Sequence, residues 1–173
     1  MTGLDSFDDA PWVLRLIDFT RRVLDDNYKR AIGVCFGHQI IARALGADVG
    51  RSATGWEISV TPMDLTETGK KFFRQNSLSI FQVHQDEVYG VPLGVELLAS
   101  TAKCANQVMY QNGCFISVQG HPEFTQDMVK TSLEARRSIL SDGEFQDAMQ
   151  RLGDHDDGKL IMERFLAFIT GAD

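Results

Sequence analysis

The sequence has no surplus of positive charge and no long hydrophobic run, and it contains only three cysteines and four prolines. The 24 acidic residues outnumber the 17 basic ones, giving a net charge of −7. This balance argues against nonspecific binding to nucleic acid or anionic membranes, because cationic patches supply most of that attraction. No apolar stretch is long enough to span a bilayer, and the first ten residues, "MTGLDSFDDA", do not resemble a signal peptide. We therefore expect a cytoplasmic protein that binds neither nucleic acid nor membrane.

The three cysteines, Cys35, Cys104 and Cys114, form an odd set at unpatterned spacings. Such a set is typical of free thiols in a reducing compartment rather than of a disulfide framework. We interpret Cys104 and Cys114 as ordinary core or strand residues. No second histidine or cysteine stands at ligand spacing from His84, so the sequence predicts no metal site and no cofactor.

The pattern of apolar residues predicts a single domain over residues 1–173. The chain is long enough for one core, and 43% of its residues are hydrophobic. Predicted strands (30–35, 56–63, 78–83 up to the polar cluster at 84–87, 95–100 and a hairpin around 111–113) alternate with predicted helices (11–26, 37–45 and a weak turn at 66–73). The functional motifs lie within 31–124, and residues 125–173 form a helical C-terminal part whose first helix is capped by Thr125. This alternation indicates an α/β domain.

Cys35 stands between Gly33 and Gly37, where a short apolar run gives way to a helical one. A nucleophile on such a tight turn adopts strained backbone angles, so we expect both neighbouring positions to require the absence of a Cβ atom. The start of the helix favours the thiolate, and the backbone N–H of Phe36 would donate to an oxyanion, a contact worth about 3–4 kcal/mol. A small buried thiol fits the same pattern equally well.

His121 and Glu123 flank Pro122 at the end of a predicted strand. Alternate side chains of an extended chain point to the same side, so the Glu123 carboxylate can hold one imidazole nitrogen while the other faces a thiol. A nucleophilic cysteine needs such a base and such an orienting group. Taken alone, this pair is more often a solvated strand end.

A second polar cluster, "VHQDEV" at 83–88, ends another predicted strand. Two interpretations stay open for it. His84 and Asp86 lie at the rim of a substrate pocket, or the cluster is a hydrogen-bonded turn that braces the sheet.

The pairing of "GVCFGHQ" with "GHPEF" resembles the class I glutamine amidotransferase family, and the similarity runs from about residue 6 to 140. Within that family, "DSFDDAPW", "CFGHQIIARALG" and "HQDEV" are most similar to the stand-alone branch, which includes plant γ-glutamyl peptidases and fungal glutamine amidotransferase-like proteins. The resemblance implies a flavodoxin-like, three-layer sandwich around a central, mostly parallel sheet.

The resemblance also implies a catalytic triad. Cys35 would be the nucleophile, His121 the general base and acid, and Glu123 the group that orients the ring. The family cleaves γ-glutamyl amides, such as glutamine or a glutathione-type conjugate, through a thioester and without a cofactor. Gln39 matches the position that contacts the glutamyl substrate, and Phe36, His84 and Asp86 complete the expected binding site.

The sequence departs from the family pattern at its beginning. Family members have further strands before the cysteine, and a glycine-containing loop there gives a second oxyanion donor. We therefore expect a sheet truncated at the N-terminus, with Thr2-Gly3 as a candidate remnant of the loop and an edge that a partner chain could complete. This departure keeps a second hypothesis open, a catalytically inactive binding or regulatory subunit. A different cysteine hydrolase with a related elbow, such as the DJ-1-like proteins, fits less well. Those proteins place their histidine beside the nucleophile in sequence, whereas here His121 is paired with Glu123.

Overall fold

The computed structural model of the protein describes residues 5–172, so the candidate loop remnant Thr2-Gly3 lies outside the described residues. Within residues 5–172 the chain forms six helices: α1 (Pro11–Leu24), α2 (Phe36–Ala44), α3 (Glu67–Phe73), α4 (Gln126–Ala135), α5 (Asp142–Arg151) and α6 (Gly158–Thr170). Its eight strands are β1 (Ala31–Val34), β2 (Asp48–Arg51), β3 (Glu57–Leu65), β4 (Ser77–His84), β5 (Asp86–Tyr89), β6 (Glu96–Ser100), β7 (Val108–Gln111) and β8 (Phe115–Val118). No helix of this part of the chain is long and apolar enough to cross a bilayer.

Six strands form the central sheet in the order β1-β8-β7-β6-β3-β4, and β2 pairs with β5 in a separate antiparallel ribbon. Strands β1 and β8 are parallel, whereas the other pairs of the central sheet are antiparallel. The sheet is therefore mixed, and the expectation of a mostly parallel sheet does not hold for the described strands. For β7 and β8 the physical reason is the three-residue connection at 112–114, because only antiparallel strands can be joined by a tight turn.

Helices cover both faces of this sheet, which confirms the predicted α/β class and its three layers. On one face, Ile116 and Val118 of β8 pack in the same apolar cluster as Phe165 of α6. On the other face, Phe115 packs with Ile41 of α2. Adjacent residues of a strand point to opposite faces, so β8 separates the two helical layers. The helix that precedes Cys35 in the chain, α1, joins α2 on the second face through Val13 and Ile17.

Most predicted elements are confirmed, and the hairpin shows why. Gln111 pairs with Phe115 across the turn, and Gly113 has a positive φ of 71°, the conformation that an Asn-Gly turn supplies at little steric cost. Thr125 caps α4 by accepting a hydrogen bond from the backbone N–H of Met128. The structure adds β2, which the polar sequence "DVGR" does not reveal.

Strand β1 lies at one end of the order of described strands and pairs there with β8. The side chain of Ile32 in this strand is 37% exposed. A partner chain at this edge stays a prediction.

Candidate active site

Cys35 lies in the sharp turn between β1 and α2, with a φ of 49° and a ψ of −100°. A residue with a Cβ atom rarely adopts these angles, and such a conformation costs about 1–3 kcal/mol. Two hydrogen bonds hold it: the Cys35 N–H donates to the carbonyl oxygen of Val118 at 2.9 Å, and its own carbonyl accepts from Gln39 N–H at 3.2 Å. The pattern around Cys35 therefore produces the predicted strained turn.

The two flanking glycines have different roles. A Cβ atom at Gly33 would lie 2.7 Å from Cδ1 of Ile41 and 2.8 Å from the carbonyl oxygen of Gly37, so only glycine fits there. A Cβ atom at Gly37 would meet no described atom within 4 Å. The expectation that both positions require the absence of Cβ is therefore correct for Gly33 and wrong for Gly37, where the turn leaves open space.

His121 follows β8, the strand beside β1, and its side chain is held from several sides. Its Nδ1 atom lies 2.8 Å from Oε1 of Glu123, so the predicted contact is present. The expected extended chain is not: residues 122–123 form a turn, in which the Phe124 N–H donates to the carbonyl oxygen of His121 at 3.3 Å, and this turn brings the two side chains together. The ring of Phe124 stacks on the imidazole, with ring centroids 3.9 Å apart and planes at 9°. The backbone N–H of His121 donates to Phe81 of β4 at 2.8 Å. These contacts fix the direction of the ring.

Cys35 and Glu123 both influence the charge of the His121 imidazole. Burial favours the neutral imidazole, but hydrogen bonds to Cys35 and Glu123 outweigh it and raise the pKa of His121 to about 9. Burial acts against ionisation of Glu123 as well, yet its hydrogen bond to His121 lowers the pKa of this carboxyl. Near neutral pH the ring is therefore protonated beside an ionised carboxylate, which places a positive charge next to the sulfur.

Phe36 begins α2, so its backbone N–H has no acceptor within the helix and is free of the helical ladder. Its side chain stacks on Trp12 of α1, with centroids 5.7 Å apart. The predicted oxyanion donor thus adjoins Cys35 at a helix start that α1 holds in place.

Gln39 lies one turn further along α2 and is 4% exposed. Its Oε1 atom accepts from the hydroxyl of Ser6 at 2.6 Å, and its Nε2 atom donates to Oε1 of Gln119 at 3.0 Å. A third, longer bond joins Nε2 to the backbone oxygen of Asp86 at 3.4 Å. The predicted substrate-binding residue is therefore close to Cys35, but its amide is engaged in internal hydrogen bonds.

Gln119 is a site residue that the sequence analysis did not single out. It is fully buried, and its Nε2 atom lies 3.7 Å from Sγ of Cys35. The available signal was its place in the motif, two residues before His121 and directly after β8.

His84 and Asp86 belong to a braced strand end. The ring of His84 is 6% exposed, with Nε2 3.2 Å from Oε2 of Glu57 and Nδ1 3.0 Å from the backbone oxygen of Asp86. The Asp86 carboxylate pairs with Arg51 at 3.0 Å, and burial raises its pKa. These contacts favour the bracing interpretation, and substrate contacts of either residue stay predictions.

Cys104, Cys114 and His38 lie in surroundings that favour their uncharged forms. Burial raises the pKa of Cys104 to about 12 and also raises that of Cys114. Burial lowers the pKa of His38 to about 3, and its Nδ1 atom lies 2.9 Å from the hydroxyl of Ser117. In residues 5–172, no group of three or more His, Cys, Asp or Glu side chains is arranged to hold a metal ion.

Comparison with known proteins gives concordant results. A family model described as glutamine amidotransferase class-I matches residues 6–139. A putative glutamine amidotransferase-like protein of Schizosaccharomyces pombe is 37% identical over 164 residues, which cover 93% of this chain and 66% of that protein. Gamma-glutamyl peptidase 4 of Arabidopsis thaliana is 34% identical over 131 residues, covering 72% of this chain and 52% of the peptidase. The chain thus spans about half to two thirds of the length of these curated relatives.

Among solved structures, a glutamine amido transferase from Methylobacillus flagellatus superposes with a TM-score of 0.82 at 22% identity. The match covers 96% of this chain and 74% of that one. A glutamine amidotransferase from Thermotoga maritima gives a TM-score of 0.75, also at 22% identity, with 95% and 73% of the two chains covered. These likenesses establish the fold.

Proposed function

The chain belongs to the class I glutamine amidotransferase family, and we propose that it is a cysteine-dependent hydrolase of γ-glutamyl amide bonds. The substrate is glutamine or a γ-glutamyl peptide such as a glutathione-type conjugate. Support for this range comes from relatives named as glutamine amidotransferases and as γ-glutamyl peptidases. Hydrolysis by a thiolate also fits the cytoplasmic location expected for a chain with free cysteines.

The observation that carries the proposal is the geometry around one sulfur atom. Cys35 is held in a strained turn, and its side chain is close enough to His121 to raise the pKa of the imidazole. Glu123 and Phe124 fix that ring, one in its plane and the other across its face. A thiol held this way next to a charged imidazole has the features of an activated nucleophile rather than of a packed core residue.

In the first half of the reaction, the thiolate of Cys35 attacks the γ-carbonyl carbon and forms a tetrahedral intermediate. The negative charge on oxygen is stabilised by the N–H of Phe36. His121 gives its proton to the departing nitrogen, the C–N bond breaks, and a γ-glutamyl thioester remains.

In the second half, His121 takes a proton from water, which attacks the thioester. The C–S bond breaks, glutamate leaves, and the thiolate–imidazolium pair is restored. Glu123 keeps the ring in one tautomer through both proton transfers.

The test measures free glutamate released from glutamine and from glutathione, with the α-amide isomer of glutamine as a substrate control. We expect release from the γ-linked substrates alone. Cys35→Ala should abolish it, and Cys114→Ser, which removes a partly exposed thiol elsewhere, should leave it intact. Unchanged release by pure Cys35→Ala protein would overturn the assignment.

Labelling with a glutamine-mimicking electrophile distinguishes the proposed hydrolase from the second hypothesis, a catalytically inactive binding or regulatory subunit. A hydrolase acquires the label on Cys35 at micromolar probe. An unlabelled Cys35, together with no glutamate release by the unmodified protein, would replace the hydrolase with the non-catalytic function.

A further inference from the structure

Three side chains connect the segment before α1 to the sulfur of Cys35. The hydroxyl of Ser6 donates to Gln39, the Gln39 amide donates to Gln119, and Nε2 of Gln119 lies 3.7 Å from Sγ. Ser6, Gln39 and Gln119 are each less than 5% exposed, so water does not compete for these bonds. We propose that Gln119 donates an N–H to the Cys35 thiolate, and that Gln39 and Ser6 are positioning residues that fix the direction of this donation.

The donor and acceptor roles in this chain of hydrogen bonds from Ser6 to Cys35, called the relay below, follow from the backbone oxygen of Asp86. The backbone oxygen of Asp86 accepts hydrogen bonds and cannot donate, so the nitrogen of the Gln39 amide must face it. The same nitrogen then faces Gln119, which must present its oxygen. The opposite end of the Gln119 amide is its nitrogen, and that end faces sulfur.

Ser6 supports the same direction from the other end. The oxygen of the Gln39 amide accepts from the Ser6 hydroxyl at 2.6 Å, which holds the amide against rotation. Ser6 is held in turn by Arg43 of α2, whose Nη1 donates to the backbone oxygens of Ser6 at 2.7 Å and Asp8 at 3.1 Å. The segment preceding α1 is therefore joined to the candidate nucleophile through buried hydrogen bonds.

An N–H pointing at sulfur favours the charged acceptor over the neutral thiol. His121 also interacts with this sulfur, and its imidazole is charged below a pKa of about 9. The Gln119 amide is neutral and remains a hydrogen-bond donor throughout the titration. The two groups therefore differ in one measurable respect. Deprotonation of the imidazolium removes the contribution of His121 and leaves that of Gln119.

The test is the pH dependence of Cys35 alkylation by iodoacetamide, followed by mass spectrometry of the peptide that contains Cys35. Gln119→Met keeps the approximate shape of the side chain and removes the donor. We expect the midpoint of the alkylation profile to move to higher pH, with alkylation below the midpoint slowed about tenfold. Gln150→Met, at an exposed glutamine of α5, is the matched control and should leave the profile unchanged.

A second variant tests the positioning residues and guards against a folding defect. Gln39→Met removes the group that pins Gln119 without touching sulfur, so we expect a smaller shift in the same direction. An unchanged profile in either folded variant overturns the relay.

The inference deepens the proposed function and fails separately from it. Alkylation reports the sulfur whether or not a γ-glutamyl substrate is cleaved. If the alkylation midpoint shifts but the protein releases no glutamate, the hydrogen bond from Gln119 is supported and the hydrolase function is refuted. If the protein cleaves glutamine but Gln119→Met leaves the alkylation profile unchanged, only the hydrogen bond from Gln119 is refuted.

Discussion

Nδ1 of His121 and Oε1 of Glu123 lie 2.8 Å apart, and the imidazole of His121 is stacked on the ring of Phe124. The carboxylate engages the Nδ1 side of the ring, and we predict that this contact orients Nε2 toward Cys35. The contact is local, because the two residues are separated by Pro122 alone.

Glu123→Gln should impair turnover without removing the nucleophile. The amide keeps the size of the side chain but loses the negative charge that stabilises the imidazolium, so we expect kcat for glutamate release to fall about a hundredfold. Glu134→Gln on α4, away from the ring, is the control. Equal kcat values for Glu123→Gln and the unmodified protein would contradict the orienting role.

Stability should depend on pH through His121. Its pKa is raised to about 9 in the folded protein, so the folded state binds the proton more tightly than the unfolded state does. The stabilisation is complete below the unfolded value of about 6.5 and is lost as the pH rises toward 9. Urea denaturation should therefore give a free energy of unfolding that declines between these pH values.

The control for this pH dependence is His121→Asn, which has no titrating ring. Its free energy of unfolding should decline less over the same interval. Parallel curves for the two proteins would show that the ring is not held as the imidazolium.

The two glycines beside Cys35 provide a matched pair for stability. Gly33→Ala places a Cβ atom 2.7 Å from Ile41, and we expect a loss of about 1–3 kcal/mol in the free energy of unfolding. Gly37→Ala meets open space in the first turn of α2 and should be neutral or stabilising by up to about 1 kcal/mol. Equal destabilisation by both substitutions would contradict the described turn.

Iodoacetamide should distinguish the three thiols. Burial raises the pKa of Cys104 to about 12 and raises that of Cys114, so both are protonated at pH 7, and the thiolate is the reactive form. We expect Cys35 to be alkylated first in the folded protein and all three to react at similar rates in urea. Faster alkylation of Cys114 in the folded protein would argue against an activated Cys35.

The sequence predicts best the features that depend on neighbours along the chain. The turn at Cys35 follows from its position between an apolar run and a helix. The contact of His121 with Glu123 is expected from their spacing, although a turn at 122–123 rather than extended chain brings the two side chains together. Gln119 lies on the same strand end but was not singled out, because a buried glutamine acquires a role only through Gln39 and Ser6, which other segments supply. The contact of His84 with Glu57 likewise depends on the register of β3 against β4, which no local pattern specifies.

The parallel pairing of β1 with β8 has a consequence for how the site forms. Val34 is aligned with Val118, so Cys35 and His121 emerge from adjacent strands at a common end. A slip of one residue would carry one strand about 3.3 Å along the other and turn its side chains to the opposite face, separating thiol from imidazole. The proposed meeting of thiol and imidazole therefore depends on the register of β1 against β8, and we expect a chain with these strands misaligned to be inert rather than indiscriminately reactive.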